Sequence, residues 1–346
     1  MMGARAVIFG LAGPELLAEE RAFFAESAPW GFVLFARNVE SPAQLSSLTA
    51  DLRDAAGRDV PVLIDQEGGR VARLRPPHWR RWQPVLRLFA KVDGGANEEA
   101  ALEAIRLRYR IIAGELVAVG IDVDCVPLLD VPAPGAHTVI GERALGHEAQ
   151  AVARRGAAVC EGLRAGGVLP VIKHLPGHGR AAVDSHHEAP RVATPRETLE
   201  AVDFAAFRPL AHEALGMTAH VVFEAIDRSR CATFSPAVIA AIRHQIGFDG
   251  LLMTDDLSMN ALSGAMSSRV TGALTAGCDV ILHCNGDMAE MREVAAHIPL
   301  LAGPAAERAA RAEAERGAIH HGSGEDFDIG AAEARYSELT GERLHA

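Results

Sequence analysis

Residues 168–174 read VLPVIKH, an apolar run that ends in a lysine and a histidine. A run of this length without polar alternation is typical of a parallel strand that is covered on both faces. Seven further segments read as strands, and several of them share this pattern. They are RAVIFGLAG (5–13), FVLFAR (32–37), PVLIDQE (61–67), DVDCVPLLD (122–130), GMTAHVVF (216–223), GLLMTDD (250–256) and DVILHCNG (279–286).

Helical patterns with start and stop signals lie between these strands. SPAQ (41–44) and TPRE (194–197) read as capping boxes with proline at the first helical position, and Ser235-Pro236 reads as a third helix start. Segments 100–120 and 148–167 have helical apolar spacing and end at glycine. The chain is therefore predicted to alternate strands with helices along most of its length.

Eight strands alternating with helices predict an α/β fold, a (β/α)8 TIM barrel. A doubly wound sheet is the alternative, but it would need a glycine-rich phosphate turn after the first strand, and GLAGPELL (10–17) has no G-x-G-x-x-G pattern. We expect a single catalytic domain over 1–346. The barrel would occupy about 5–290, with outer helices and a polar tail at about 291–346.

Composition excludes several classes of protein. The net charge of -11 argues against a nucleic-acid partner, because phosphate binding needs a basic surface. No apolar run reaches membrane-spanning length, and the N-terminus lacks the features of a signal peptide, so we expect no membrane association. The five cysteines form no C-x-x-C pair, which fits reduced thiols in a cytoplasmic protein.

Polar side chains cluster where the predicted strands end. In a barrel of this kind the active site lies at the carboxyl-terminal ends of the strands. The set predicts a polar pocket at that end. It comprises Asp65, Gln66, Glu67, Arg70, Arg73, Glu142, Arg143, Lys173, His174, His220, Thr254, Asp255, Asp256, His283, Cys284 and Asn285.

The segment KHLPGHGRAAVDSHHEAP (173–190) holds four histidines and leaves three interpretations open. A metal site would use the H-x-x-x-H spacing of His174 and His178, but Pro176 and the glycines exclude the regular helix that this spacing favours. The second interpretation is a solvated loop without a function. The third is acid–base chemistry, in which Asp184 would orient the ring of His186 and favour its protonated form.

Four motifs carry a resemblance to a known family: KHLPGHG followed by DSH, IDQEGGRV, IGER and TDDLSM. Together they resemble the single-domain β-N-acetylglucosaminidases of glycoside hydrolase family 3, the bacterial NagZ type, over about residues 5–290. The resemblance implies a TIM barrel and retaining hydrolysis of a terminal, β-linked N-acetylglucosamine. The implied substrates are cytoplasmic peptidoglycan fragments, in which that sugar is joined to 1,6-anhydro-N-acetylmuramic acid with or without a peptide.

Residue roles follow from the resemblance, motif by motif. Asp255 would be the nucleophile, and His186, assisted by Asp184 on a mobile loop, would be the general acid/base. The residues that would hold the sugar are Asp65, Arg73, Arg143, Lys173 and His174. We expect no cofactor, no metal, a small carbohydrate as the binding partner, and a monomer.

Other assignments stay open on chemistry alone. Glu67 is a rival nucleophile, whereas Asp256 is expected to be structural because neighbouring strand residues point to opposite faces. His178 and His187 have no assigned role. Alternative functions are a glycoside phosphorylase on the same scaffold, a metal-dependent barrel hydrolase and a non-catalytic sugar sensor.

Overall fold

The computed structural model describes residues 3–93, 97–181, 190–260, 262–322 and 327–344. The strands are β1 (Arg5–Phe9), β2 (Pro29–Leu34), β3 (Val62–Ile64), β4 (Val123–Asp124), β5 (Leu169–Leu175), β6 (Arg191–Val192), β7 (Leu215–Thr218), β8 (Val222–Phe223), β9 (Leu251–Met253) and β10 (Ile281–His283). Eight of them are parallel and form one sheet in the order β10-β1-β2-β3-β4-β5-β7-β9, and the two short strands β6 and β8 pair separately.

The sheet curves into a barrel. A parallel bridge between Met253 at the end of β9 and Val280 just before β10 joins the two edge strands. The predicted TIM barrel is confirmed, and the doubly wound alternative is wrong because such a sheet would keep two open edges. All eight predicted barrel strands are present, although most are shorter than their apolar runs.

Most of the helices cover the outside of the barrel, as the sequence predicts. They are α1 (Ala18–Ser27), α2 (Pro42–Ala56), α3 (Val85–Asp93), α4 (Glu98–Val117), α5 (Ala149–Ala165), α6 (Arg196–Thr198), α7 (Phe204–Phe207), α8 (Pro236–Ala241), α9 (Met266–Ala276), α10 (Met288–His297), α11 (Gly303–Gly322) and α12 (Ile329–Thr340). The capping box at Ser41 is present, and the Ser235 hydroxyl caps α8. The predicted box at 194–197 is wrong, since α6 begins one residue later and has no side-chain cap.

Buried side chains form an inner and an outer layer because residues alternate across each strand. On β3, for example, Leu63 belongs to the barrel interior, whereas Val62 and Ile64 pack under the helices. Both faces are therefore apolar, which explains the continuous apolar runs. All five cysteines are free and buried, as expected. Among the described residues, no helix has both the length and the apolar character needed to cross a membrane.

Helix α11 lies across the amino-terminal end of the barrel. Ala309 and Ala312 pack against the interior cluster. The buried Arg316 donates to the carboxylates of Asp122 at 2.5 Å and Asp59 at 2.9 Å, both of which lie just before strands. The sequence predicts outer helices after residue 290, and this prediction is wrong for α11. Because α11 closes the amino-terminal end of the barrel, which we call its floor, the accessible interior faces the opposite end.

Candidate active site

A cavity of about 310 Å³ lies at the carboxyl-terminal end of the barrel. Its wall contains six of the eight residues predicted for catalysis and sugar binding. They are Asp65, Arg73, Arg143, Lys173, His174 and Asp255. The other two, Asp184 and His186, lie outside the described residues. The barrel thus brings together side chains that are up to 190 positions apart in the sequence.

The loop after β3 is held by the side chain of Gln66. Its amide oxygen accepts from the backbone N–H groups of Arg73 at 2.8 Å and Leu74 at 3.1 Å, and its nitrogen donates to the Leu74 carbonyl at 3.0 Å. Gly68 lets the chain turn with a φ of 89°, where a Cβ atom would lie 2.0 Å from Arg108 Nη2. These contacts hold the loop in one conformation, in which Asp65 and Arg73 line the cavity.

Lys173 is the centre of a buried charge network. Its Nζ atom contacts Asp65 Oδ1 at 2.7 Å and Glu67 Oε1 at 2.9 Å, and the side chain is 3% exposed. Arg73 Nη2 donates to Asp65 Oδ2 at 3.1 Å, and Arg143 donates to both oxygens of Glu67 at 2.8 Å. An ammonium has three donors, so the two acceptors found among the described residues leave one donor for a ligand.

The network fixes the charge of its members. Burial alone would raise the pKa of the Asp65 carboxyl, but Lys173 and Arg73 outweigh burial and hold that pKa well below its usual range. Burial also opposes ionisation of Glu67, and Arg143 and Lys173 together lower its pKa. The same pairs raise the pKa of Lys173 despite its burial. Both carboxylates and the ammonium are therefore charged at neutral pH.

Glu67 has little freedom to attack a substrate. Both of its oxygens accept from Arg143, and one also contacts Lys173. Its backbone carbonyl accepts from Arg108 and Tyr109 at 3.0 and 3.2 Å. These contacts favour a role in holding the two cations over the rival nucleophile that the sequence left open.

Asp255 follows β9 and faces the cavity. Its Oδ1 accepts from the backbone N–H of Asp256 at 2.8 Å. Burial would raise the pKa of this carboxyl, but the imidazoles of His220 and His174 and the Asp256 N–H outweigh burial and lower it. Asp255 is thus an ionised carboxylate in a largely enclosed site, which is the state that a nucleophile requires.

The neighbouring Asp256 is bound within its own loop. Its carboxylate accepts from the backbone N–H and hydroxyl of Ser258 at 2.9 and 2.6 Å, and from the Cys284 N–H at 3.1 Å. Its backbone carbonyl lies 3.0 Å from His220 Nε2. These contacts fit the structural role that strand alternation predicted.

The histidine segment contributes two described rings. His174 and His178 line the cavity with ring centroids 5.7 Å apart. Burial lowers the pKa of His178 to about 4, so its ring is neutral at neutral pH. Within the described ranges no three side chains of the metal-ligating types come together in a geometry that could hold a metal ion.

Asp130 is a site residue that the sequence reading did not identify. It lies behind His174, fully buried, with Oδ2 at 2.7 Å from His174 Nδ1. It ends the predicted strand 122–130, so the rule that strand ends form the active site could have found it. Arg70, which the sequence grouped only with the pocket, donates to the Val139 carbonyl and joins two of the loops around the cavity.

Comparisons with known proteins identify the family to which the chain is similar. The family described as "Glycosyl hydrolase family 3 N terminal domain" matches residues 15–316. A protein named beta-hexosaminidase from Methylococcus capsulatus is 39% identical over 283 residues, which are 80% of this chain and 82% of that protein. NagZ from Neisseria gonorrhoeae, solved in complex with N-trifluoroacetyl-D-glucosamine, is 30% identical with a TM-score of 0.85, over 98% of this chain and 99% of that chain. The same protein has also been solved in complex with zinc ion, with the same TM-score and coverage.

Proposed function

The chain belongs to glycosyl hydrolase family 3 and is a glycoside hydrolase of the β-N-acetylhexosaminidase class, for which we propose a retaining mechanism and a peptidoglycan-fragment substrate. The observation that carries the mechanism is the ionised Asp255 carboxylate in the same cavity as Asp65, Lys173 and His174. A polar cavity of about 310 Å³ suits the single sugar that this class of enzyme removes.

In the proposed first step, an oxygen of Asp255 attacks the anomeric carbon of the bound N-acetylglucosamine. The bond from that carbon to the glycosidic oxygen breaks, and His186 gives the leaving oxygen a proton. A covalent glycosyl-enzyme remains. In the second step, water gives a proton to His186 and attacks the anomeric carbon, which frees Asp255 and keeps the β configuration.

His186 and Asp184 enter this proposal from the sequence, since they lie outside the described residues. A histidine is suited to the role because its unperturbed pKa of about 6.5 makes both protonation states available near neutrality. An ionised Asp184 would orient the ring and favour the imidazolium, as the aspartate does in a serine protease triad. A second buried carboxyl would instead need its pKa raised by its surroundings.

Sugar binding is assigned to the charged side chains on the cavity wall. The Lys173 ammonium keeps one donor after binding Asp65 and Glu67, and Asp65 is held in place to accept from ring hydroxyls. Hydrogen bonds of this kind position the sugar and strengthen as its ring flattens toward the transition state. Arg73 and Arg143 would bind hydroxyl or amide oxygens.

The proposed substrate is N-acetylglucosamine joined to 1,6-anhydro-N-acetylmuramic acid, with or without a peptide. The proposed process is cytoplasmic peptidoglycan recycling, and the enzyme is proposed to act as a monomer. The support for the substrate is the motif set together with a relative that binds a glucosamine derivative. Release of N-acetylglucosamine from the purified disaccharide tests the substrate, with chitobiose as the comparison. A strong preference for chitobiose would contradict the peptidoglycan assignment.

Trapping with a 2-acetamido-2-deoxy-5-fluoro glycoside tests the nucleophile. Peptide mapping by mass spectrometry is expected to place the sugar on Asp255, and a label on Glu67 would move the nucleophile there. Asp255→Ala should abolish turnover of an aryl N-acetylglucosaminide, whereas the matched variant Asp54→Ala, at a side chain 79% exposed, should keep it. Assays with and without inorganic phosphate complete the test, because a sugar 1-phosphate product would identify a phosphorylase.

A further inference from the structure

Asp130 is buried behind the sugar site and accepts three hydrogen bonds. Its Oδ1 accepts from the backbone N–H groups of His174 at 3.3 Å and His178 at 2.6 Å. Its Oδ2 lies 2.7 Å from Nδ1 of the His174 ring. The residue is 0% exposed, so bulk water cannot replace any of these partners.

An ionised carboxylate fits this arrangement, because it can accept at both of its oxygens. Two of the partners are backbone N–H groups, which can only donate, and they occupy one oxygen. The other oxygen can only accept as long as Asp130 is ionised, so Nδ1 of His174 must carry a proton. Burial opposes ionisation, but His174 and His178 outweigh it and lower the pKa of Asp130 to about 2.

His174 lines the cavity, and the Nδ1 atom of its ring is bound to Asp130. Within the part of the chain that the structure describes, Nε2 of His174 has no hydrogen-bond partner. With Nδ1 bound to Asp130, Nε2 is the ring atom that remains for a ligand. The backbone bonds from His174 and His178 fix the turn between them, which is closed by the Gly177 N–H donating to the His174 carbonyl at 2.7 Å.

We infer that Asp130 is a positioning residue for sugar binding, which fixes His174 in the Nδ1-protonated form with Nε2 toward the sugar and holds the turn at 174–178 against the barrel. This inference rests on the proposed function in so far as the ligand is a sugar. Asp130 itself touches no substrate. It acts through His174 and through the first turn of the segment that carries Asp184 and His186.

Replacement by asparagine separates this role from simple packing. The asparagine oxygen can accept from the two backbone N–H groups, and its amide nitrogen then donates toward His174. The ring must accept at Nδ1 and move its proton to Nε2. The reverse orientation would place the amide nitrogen against two backbone donors. Asp130→Asn therefore keeps the size of the side chain and reverses the tautomer of the ring.

Nitrogen NMR of the histidine-labelled full chain measures the tautomer directly. Comparison with His174→Gln assigns the His174 signals. We expect a protonated Nδ1 in the wild type and a protonated Nε2 in Asp130→Asn. Asp124→Asn is the matched control, because Asp124 is equally buried, accepts from the Gln66 N–H at 2.9 Å and has its pKa raised by burial to about 8. The His174 tautomer should not change in that control.

Kinetics test whether the tautomer matters for binding. We expect Asp130→Asn to lower kcat/KM for an aryl N-acetylglucosaminide by about 10- to 100-fold, as small losses of alignment do. In a His174→Gln background the same substitution should have little further effect. An equal loss in both backgrounds would show a merely structural role and overturn the inference.

The spectra also distinguish the two proposals. A wild-type ring that is neutral and protonated only at Nε2, or a tautomer that Asp130→Asn leaves unchanged, would overturn the role of Asp130 whatever the activity. Absence of any N-acetylglucosaminide turnover by the wild type would overturn the proposed function and leave the spectral result valid. If Asp130→Asn does not fold, the wild-type spectrum still decides the tautomer.

Discussion

Replacement of Lys173 by methionine will destabilise the protein and change how its stability depends on pH. Methionine has similar length and is apolar, so the change removes the ammonium with little change in volume. Asp65 and Glu67 would stay buried, with Arg73 and Arg143 as their remaining cations. Removing one partner of a buried ion pair costs about 3–5 kcal/mol, and since two cations remain we expect a loss of about 2–4 kcal/mol at pH 7.

The sign of the pH effect follows from the lowered pKa values of Asp65 and Glu67. Carboxylates whose folded-state pKa is lowered add stability above their unfolded pKa, about 4, and lose it as pH falls toward the folded value. Without Lys173 both folded-state pKa values rise. The variant should therefore lose less stability on acidification, and the gap from the wild type should narrow between pH 7 and about pH 3.5.

Urea unfolding followed by circular dichroism measures both effects. Arg87→Met is the control, because the Arg87–Glu142 pair is about half exposed and such pairs contribute at most about 1 kcal/mol. Equal stability of Lys173→Met and the wild type at pH 7 would refute the buried network as a source of stability. A gap that stays constant down to about pH 3.5 would refute the assignment of that stability to ionised Asp65 and Glu67.

Two further predictions concern the frame around the site. Gly68→Ala should lower Tm more than Gly57→Ala does, because both glycines have positive φ but only at Gly68 would the Cβ meet another atom, Arg108 Nη2; equal shifts in differential scanning calorimetry would contradict this. Arg316→Met should cost about 2–4 kcal/mol by breaking its buried pair with Asp122, yet leave kcat for an aryl N-acetylglucosaminide within about twofold. A large fall in kcat would show that the barrel floor affects the chemistry.

Much of the fold could be predicted because local patterns specify it. Apolar runs mark strands that are covered on both faces, and Ser41 and Ser235 mark helix starts that the structure contains. Helix α11 could not be placed in the same way. Its alanines and arginines suit an outer surface helix equally well, and the partners that place it under the barrel, such as Asp122 for Arg316, are 194 positions away.

The candidate site could likewise be predicted only in part from the sequence. The polar residues at strand ends predicted the cavity, because parallel strands bring their carboxyl-terminal ends to one side. Asp130 was missed because a carboxylate at a strand end looks like any strand terminator. Its role depends on donors 44 and 48 positions later, which the sequence alone does not bring near. The assignments of Asp184 and His186 stay predictions.

Closure of the barrel has a consequence for synthesis of the chain. β1 pairs with β10, and α11, which covers the floor, begins only at Gly303. A chain emerging from the ribosome presents most of the barrel strands before either closing element exists. Interior residues such as Trp30, which is 1% exposed in the finished fold, then remain open to water and to chaperones. The nascent protein is therefore most prone to aggregate until its last fifth has been translated.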